Sequence, residues 1–155
     1  IAWPFLNTLF SKMGLTENQQ FKDDLSVQKA IIATQYLVDD SQEYDESELI
    51  LNKILCGVDI DFYVDTSIKL VDVEIAVCNM ALKTIIQQWD KMKSVDALRY
   101  YFLKREGVLK INDSGYELYI EKQTTDILLR YLPWNLSIIK SSIMKLKLII
   151  DWKYI

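Results

Sequence analysis

Val71, Ile75, Cys78, Leu82, Ile85, Trp89 and Met92 recur at alternating spacings of four and three. That rhythm places them on one face of a helix and predicts a long helix over roughly residues 69–93. Val73, Val77, Ala81 and Ile86 widen the apolar arc beyond a coiled-coil seam, as in a helix packed on several neighbours. These seven positions are therefore the expected core, with Asp72, Asn79, Lys83 and Asp90 on the opposite face.

The same reading extends along the chain. Trp3-Pro4-Phe5 looks like a helix entry, because Pro is tolerated at the first helical position. Leu6, Phe10 and Met13 then share a face, and Gly14 suits the residue that ends a helix. Residues 16–24 are polar and read as a loop. Val27, Ile31 and Thr34 form the stripe of a second helix, and the acidic stretch Asp39 to Glu46 reads as a surface segment. Asp45 and Glu48 have capping-box spacing ahead of Leu51, Ile54 and Leu55, with Gly57 closing that helix. Residues 58–66 alternate in strand fashion, which an extended loop explains equally well. Ser94 can cap a helix with Leu98, Tyr101 and Phe102 inside and Gly107 at its end.

Beyond residue 107 the period changes from helical to two. Leu109 and Ile111, a turn at Asn112-Asp113-Ser114-Gly115, and Tyr116, Leu118 and Ile120 predict a hairpin over about 108–121. Ile127, Leu128 and Tyr131 indicate a helical turn or two stopped by Pro133. Leu146, Leu148, Ile150 and Trp152 predict a strand over about 146–152 that joins the hairpin. The expected fold is α+β, a mainly helical single domain spanning 1–155 with a small antiparallel sheet near its C-terminus. A chain of 155 residues suffices for one core. It begins at Ile1 on a packed-looking motif and is read as the C-terminal part of a longer chain.

Composition narrows the chemistry. With no histidine, neither a Ser-His nor a Cys-His nucleophile pair can be built. Cys56 and Cys78 lie in apolar helical patterns and read as buried reduced thiols. The four glycines form no phosphate-cradling loop. The pairs Asp59 with Asp61 and Glu43 with Asp45 allow a cation or an acid/base pair, although a solvated acidic loop is the simpler account. A net charge of −4, with Lys and Arg scattered among carboxylates, argues against nucleic acid. Charges interrupt the apolar run 132–152, which argues against a membrane span. Ile138, Ile139, Ile143 and Met144 beside Lys140, Lys145 and Lys147 leave a membrane-surface patch as an alternative, and a generic adaptor as another. No catalytic residue, metal ligand or cofactor site is expected. Trp3 and Trp134 each adjoin a proline at an element boundary. They read as core caps or, with Pro4, Leu132 and Pro133, as an interface anchor, since Trp is enriched among binding hot spots.

Several segments taken together resemble the C-terminal part of contractile injection system tape measure proteins, of the phage-tail-like, antifeeding-prophage class. They are Trp3-Pro4-Phe5-Leu6 with Leu9-Phe10 and Gly14-Leu15, Ala30 to Leu37, and Glu48 through Gly57. Trp89, Leu98-Arg99, Phe102 through Gly107, Asp126-Ile127-Leu128-Leu129 and Leu132-Pro133-Trp134 follow in family order. The chain departs from the family pattern at Ser142-Ile143, where a second Pro-Trp is expected. The resemblance implies a non-enzymatic assembly role in setting tube length. It further implies baseplate and inner-tube proteins as partners and a symmetric homo-oligomer in the particle. The implied location is the bacterial cytoplasm during assembly and then the finished particle.

Overall fold

The computed structural model describes residues 1–152. The chain enters through a 3-10 turn at Trp3–Phe5, with Pro4 in its first turn, and continues directly into α1 (Leu6–Lys12). Gly14 ends that helix at φ 71°. The polar segment expected to be a loop contains a miniature hairpin, β1 (Thr16–Glu17) with β2 (Gln20–Phe21). Asn18 and Gln19 turn it at φ 50° and 62°, and Asn tolerates that left-handed region better than most residues.

Helix α2 (Asp24–Val38) starts at Asp23, whose Oδ1 accepts the Ser26 N–H at 2.7 Å. Its other end is closed by a side chain distant in sequence. Arg99 donates from Nε to Leu37 O at 3.2 Å and from Nη2 to Tyr36 O at 3.0 Å, satisfying carbonyls that no further turn of helix can reach. A 3-10 turn with the Asp45/Glu48 capping box leads into α3 (Ile50–Leu55), and Glu48 Oε2 accepts the Asp45 N–H at 2.8 Å. Gly57 follows at φ 72°, and a Cβ there would collide with the carbonyl of Ile143. The departure at Ser142-Ile143 therefore lies against the end of α3, and Asn7 Nδ2 donates to Ser142 Oγ at 3.2 Å. Residues 58–66 are irregular rather than a strand.

Helix α4 spans Asp72–Gln88, shorter than the predicted 69–93 at both ends. Cys78, Leu82, Ile85 and Trp89 have no exposed surface and Met92 is buried. Ile75 is half-buried. Val71, expected in the core, is 56% exposed because it sits before the first turn of α4, where the chain has not yet begun to rotate. Its N–H donates to Glu74 Oε2 at 3.0 Å, and Glu74 also pairs with Lys29 of α2 at 2.6 Å. Helices α2 and α4 are thus tied both by apolar packing and by an ion pair. Cys56 and Cys78 are free, buried thiols, and burial raises the pKa of both, that of Cys78 to about 12.

Ser94 Oγ accepts the Ala97 N–H at 3.1 Å and starts α5 (Val95–Leu98), which passes into a π-helical turn over Arg99–Leu103. That wide turn carries Phe102 inward against Trp89, ring centroids 4.8 Å apart, and leaves Tyr101 at the surface instead of inside. Gly107 opens a strand rather than closing the helix. A Cβ there would lie 2.6 Å from Tyr119 O.

β3 (Gly107–Asn112) and β4 (Gly115–Ile120) form the expected hairpin, with Asn112 facing Gly115 across the turn. A 3-10 stretch at Thr124–Tyr131 follows, with Asp126 and Leu129 inward and Ile127 and Tyr131 outward. β5 (Ile138–Ile139) and β6 (Leu148–Asp151) complete a sheet ordered β3-β4-β6-β5. The third strand joins the hairpin as expected, but parallel to β4, with Tyr116 facing Leu148 and Leu118 facing Ile150. The sheet is therefore mixed. Residues 121–147 form a connection long enough to return the chain in the same direction, which a parallel pair requires.

Candidate functional site

The sheet turns one face toward the helices, and period two decides which residues it presents. Leu109, Leu118, Ile120, Leu148 and Ile150 all line an apolar groove of about 470 Å³ between sheet and helices. The opposite wall is α3 with the segment after it, where Ile50 and Ile60 are each about two-fifths exposed. Its polar floor is satisfied internally. Asn52 Nδ2 donates to Thr34 Oγ1 at 2.9 Å, and Thr34 Oγ1 donates to Ile31 O at 2.7 Å. Thr34, read from sequence as one position of an apolar stripe, therefore joins α2 to α3 by a buried hydrogen bond.

One end of the groove is closed by an ion pair that sequence reasoning missed. Arg105 and Asp126 are both buried and meet bidentately, Nη1 to Oδ1 at 2.6 Å and Nη2 to Oδ2 at 3.1 Å. Arg105 also donates to Tyr101 O and Glu121 O, and its guanidinium lies 5.4 Å from the Trp152 ring centroid. Asp126 Oδ2 accepts the Gln123 N–H at 2.9 Å. A planar five-donor cation suits such a junction, since it reaches four chain segments at once. Both residues stand inside the motifs that carry the family resemblance. Nothing in their spacing of 21 residues announces that they meet.

The proposed interface residues come together at the corner where the N-terminal turn meets residues 132–136. Trp3 Nε1 donates to Asn135 O at 2.9 Å, and Trp134 Nε1 donates to Ile1 O at 3.0 Å. Phe5 and Trp134 pack edge to face at 5.1 Å. Each indole spends its N–H on the other's segment, so both tryptophans clasp the fold. Leu132 is half-buried beside them, while Pro4 and Pro133 are exposed. Trp3 also lines the groove.

Other readings of the residues find their places too. Asp59 pairs with Lys145 at 3.0 Å on the surface. Among the described residues, no group of three or more His, Cys, Asp or Glu is arranged to hold a metal ion. Ile139 and Met144 are buried, Ile143 is half-buried, and Lys140 donates to the carbonyls of Met144 and Lys145. Of the four apolar residues in the basic patch, Ile138 alone is largely exposed. No helix among the described residues is long and apolar enough to cross a membrane.

Comparison with known proteins adds one finding. The family model described as contractile injection system tape measure protein matches residues 1–152, essentially the whole chain. Comparisons with curated proteins and with solved structures found no match.

Proposed function

Because the chain belongs to the family of contractile injection system tape measure proteins, a structural family, we propose that it is the terminal docking module of such a protein. In this reading it is the end piece of a longer chain and carries out no reaction. It attaches the length-determining segment to the baseplate or the tube-initiation complex.

One observation carries the proposal. The longest helix among the described residues has 17 residues, and a helix advances 1.5 Å per residue, so no element described exceeds about 25 Å. A ruler made of 155 helical residues would reach about 230 Å. A compact domain of this size has a radius of gyration of about 15 Å. The segment is too short in every direction to measure a tube, and its contribution is attachment. The partners are the baseplate and inner-tube proteins, met in the rotational symmetry of the particle, in which the module forms a symmetric homo-oligomer. Assembly takes place in the bacterial cytoplasm. The exposed prolines at the tryptophan corner, Pro4 and Pro133, are proposed as part of the contact surface.

A deletion of residues 1–155 that keeps the upstream segment tests this. The expected outcome is loss of particles, or tubes of uncontrolled length, by electron microscopy. Particles of normal length and yield overturn the proposal.

A further inference from the structure

The four methionines differ sharply in access to solvent. Met92 and Met144 are 5% and 3% exposed, Met13 is half-buried, and Met80 is 52% exposed. Met80 stands on the wall of a second, smaller groove of about 240 Å³ between α1 and α4. Phe5, Leu9 and Lys12 line one side of it, and Val77, Met80 and Ala81 line the other. Lys12, the last residue of α1, reaches across, and its Nζ donates to Met80 Sδ at 3.8 Å. Among the described residues no carboxylate pairs with that ammonium. A thioether sulfur is a weak acceptor, so the cation has only a poor partner there.

We propose that Met80 is an oxidation site, at which a peroxide makes a sulfoxide that takes the Lys12 ammonium and fastens α1 to α4. The step moves two electrons from sulfur to the peroxide. A sulfur lone pair attacks one peroxide oxygen and the O–O bond breaks. The proton on the attacked oxygen passes to the other, which leaves as water, and the sulfur keeps its oxygen as S=O. That oxygen is a polar acceptor where the thioether was a weak one. Rotation about the Cγ–Sδ bond brings it within hydrogen-bond reach of a nitrogen that lies 3.8 Å from the sulfur. Because the donor is charged, the new bond is stronger than a neutral one. The same oxygen on Met92 or Met144 would put a polar group into the core, whereas at Met80 it stands at the surface and the fold persists. Methionine sulfoxide is reducible, so the tie is reversible. The inference is independent of the docking reading, since it needs only α1, α4 and the sulfur between them.

The full-length protein is treated with a limited amount of hydrogen peroxide and its peptides are weighed by mass spectrometry. The expected result is a single added oxygen on Met80 before any appears on Met13, Met92 or Met144. Amide exchange at Leu9 and Phe10 of α1 should then slow by about twofold, the size expected of an exposed charged contact. Methionine sulfoxide reductase should restore the original rate. Lys12→Leu, a surface change, should still be oxidised at Met80 but show no slowing. Met80→Leu should take up no oxygen in that helix. Oxidation falling first on another methionine, α1 exchange that is unchanged or faster in the oxidised protein, or equal slowing in Lys12→Leu would each overturn the proposal.

Discussion

The helical portion up to α5 and the sheet portion after it are held together by different means. In the first, burial follows each element's own sequence period. Phe10, Ile31, Leu82 and Ile85 have no exposed surface, and each lies on a stripe visible in the chain. In the second, β3 is exposed at five of its six positions and the connection after β4 has little regular structure. There the chain is fastened at points: Arg105 on Asp126, Trp3 on Asn135, Trp134 on Ile1. A distributed core loses stability in proportion to the volume removed, whereas a fastened region fails when one fastener goes.

The sharpest test of that contrast is Arg105→Ala. Removing one partner of a buried pair strands the other charge, so a loss of about 3–5 kcal/mol is expected in urea unfolding. Amide exchange should rise first at residues 116–120 and 148–151 and last in α2. A uniform rise would show that the two portions unfold as one unit. Leu82→Ala comes next, at about 2–5 kcal/mol, the range for truncating a buried leucine. A typical domain has only about 5–15 kcal/mol in total, so the melting temperature must fall visibly. An unchanged one would remove α4 from the core. Trp134→Phe keeps the aromatic packing on Phe5 but deletes the bond to Ile1 O, and should cost about 0.5–1.5 kcal/mol. Acrylamide quenching of Trp3 should rise in that variant as the corner loosens.

The smallest effect is a pH dependence. The Lys104 ammonium beside Asp39, with help from Ser41, holds the Asp39 carboxyl well below its ordinary value of 3.8. That stabilisation is complete above the ordinary value and disappears as pH falls through the folded one. The same contact raises Lys104, whose share is complete below 10.5 and disappears as pH rises through its folded value. Asp39→Asn should flatten the thermal stability profile at the acid end, slightly, because both side chains are solvent-accessible.

How legible each part was follows from the same contrast. The apolar face of α4, the Asp45/Glu48 and Ser94 caps, and the hairpin around Asn112–Gly115 were readable because each depends on residues within a turn or two. Val71 was misplaced because its spacing continues the stripe one step beyond the start of the helix. Tyr101 was misplaced because a π-helical turn shifts the register, and sequence period alone assumes 3.6 residues per turn. The groove was half legible. Its sheet face follows from alternation, but its other wall comes from α3, more than fifty residues earlier.

Local periodicity and capping determined by themselves the cores of α2 and α4, the hairpin of β3 and β4 with the strand that joins it, and the α+β class. Only the tertiary structure decided that β6 runs parallel to β4, that Arg105 finds Asp126, and that Trp3 donates to Asn135 O while Trp134 donates to Ile1 O. Those contacts join residues 21 to 133 positions apart, where the partner is chosen by which surfaces the collapsed core brings together. No short-range pattern in the sequence encodes that choice.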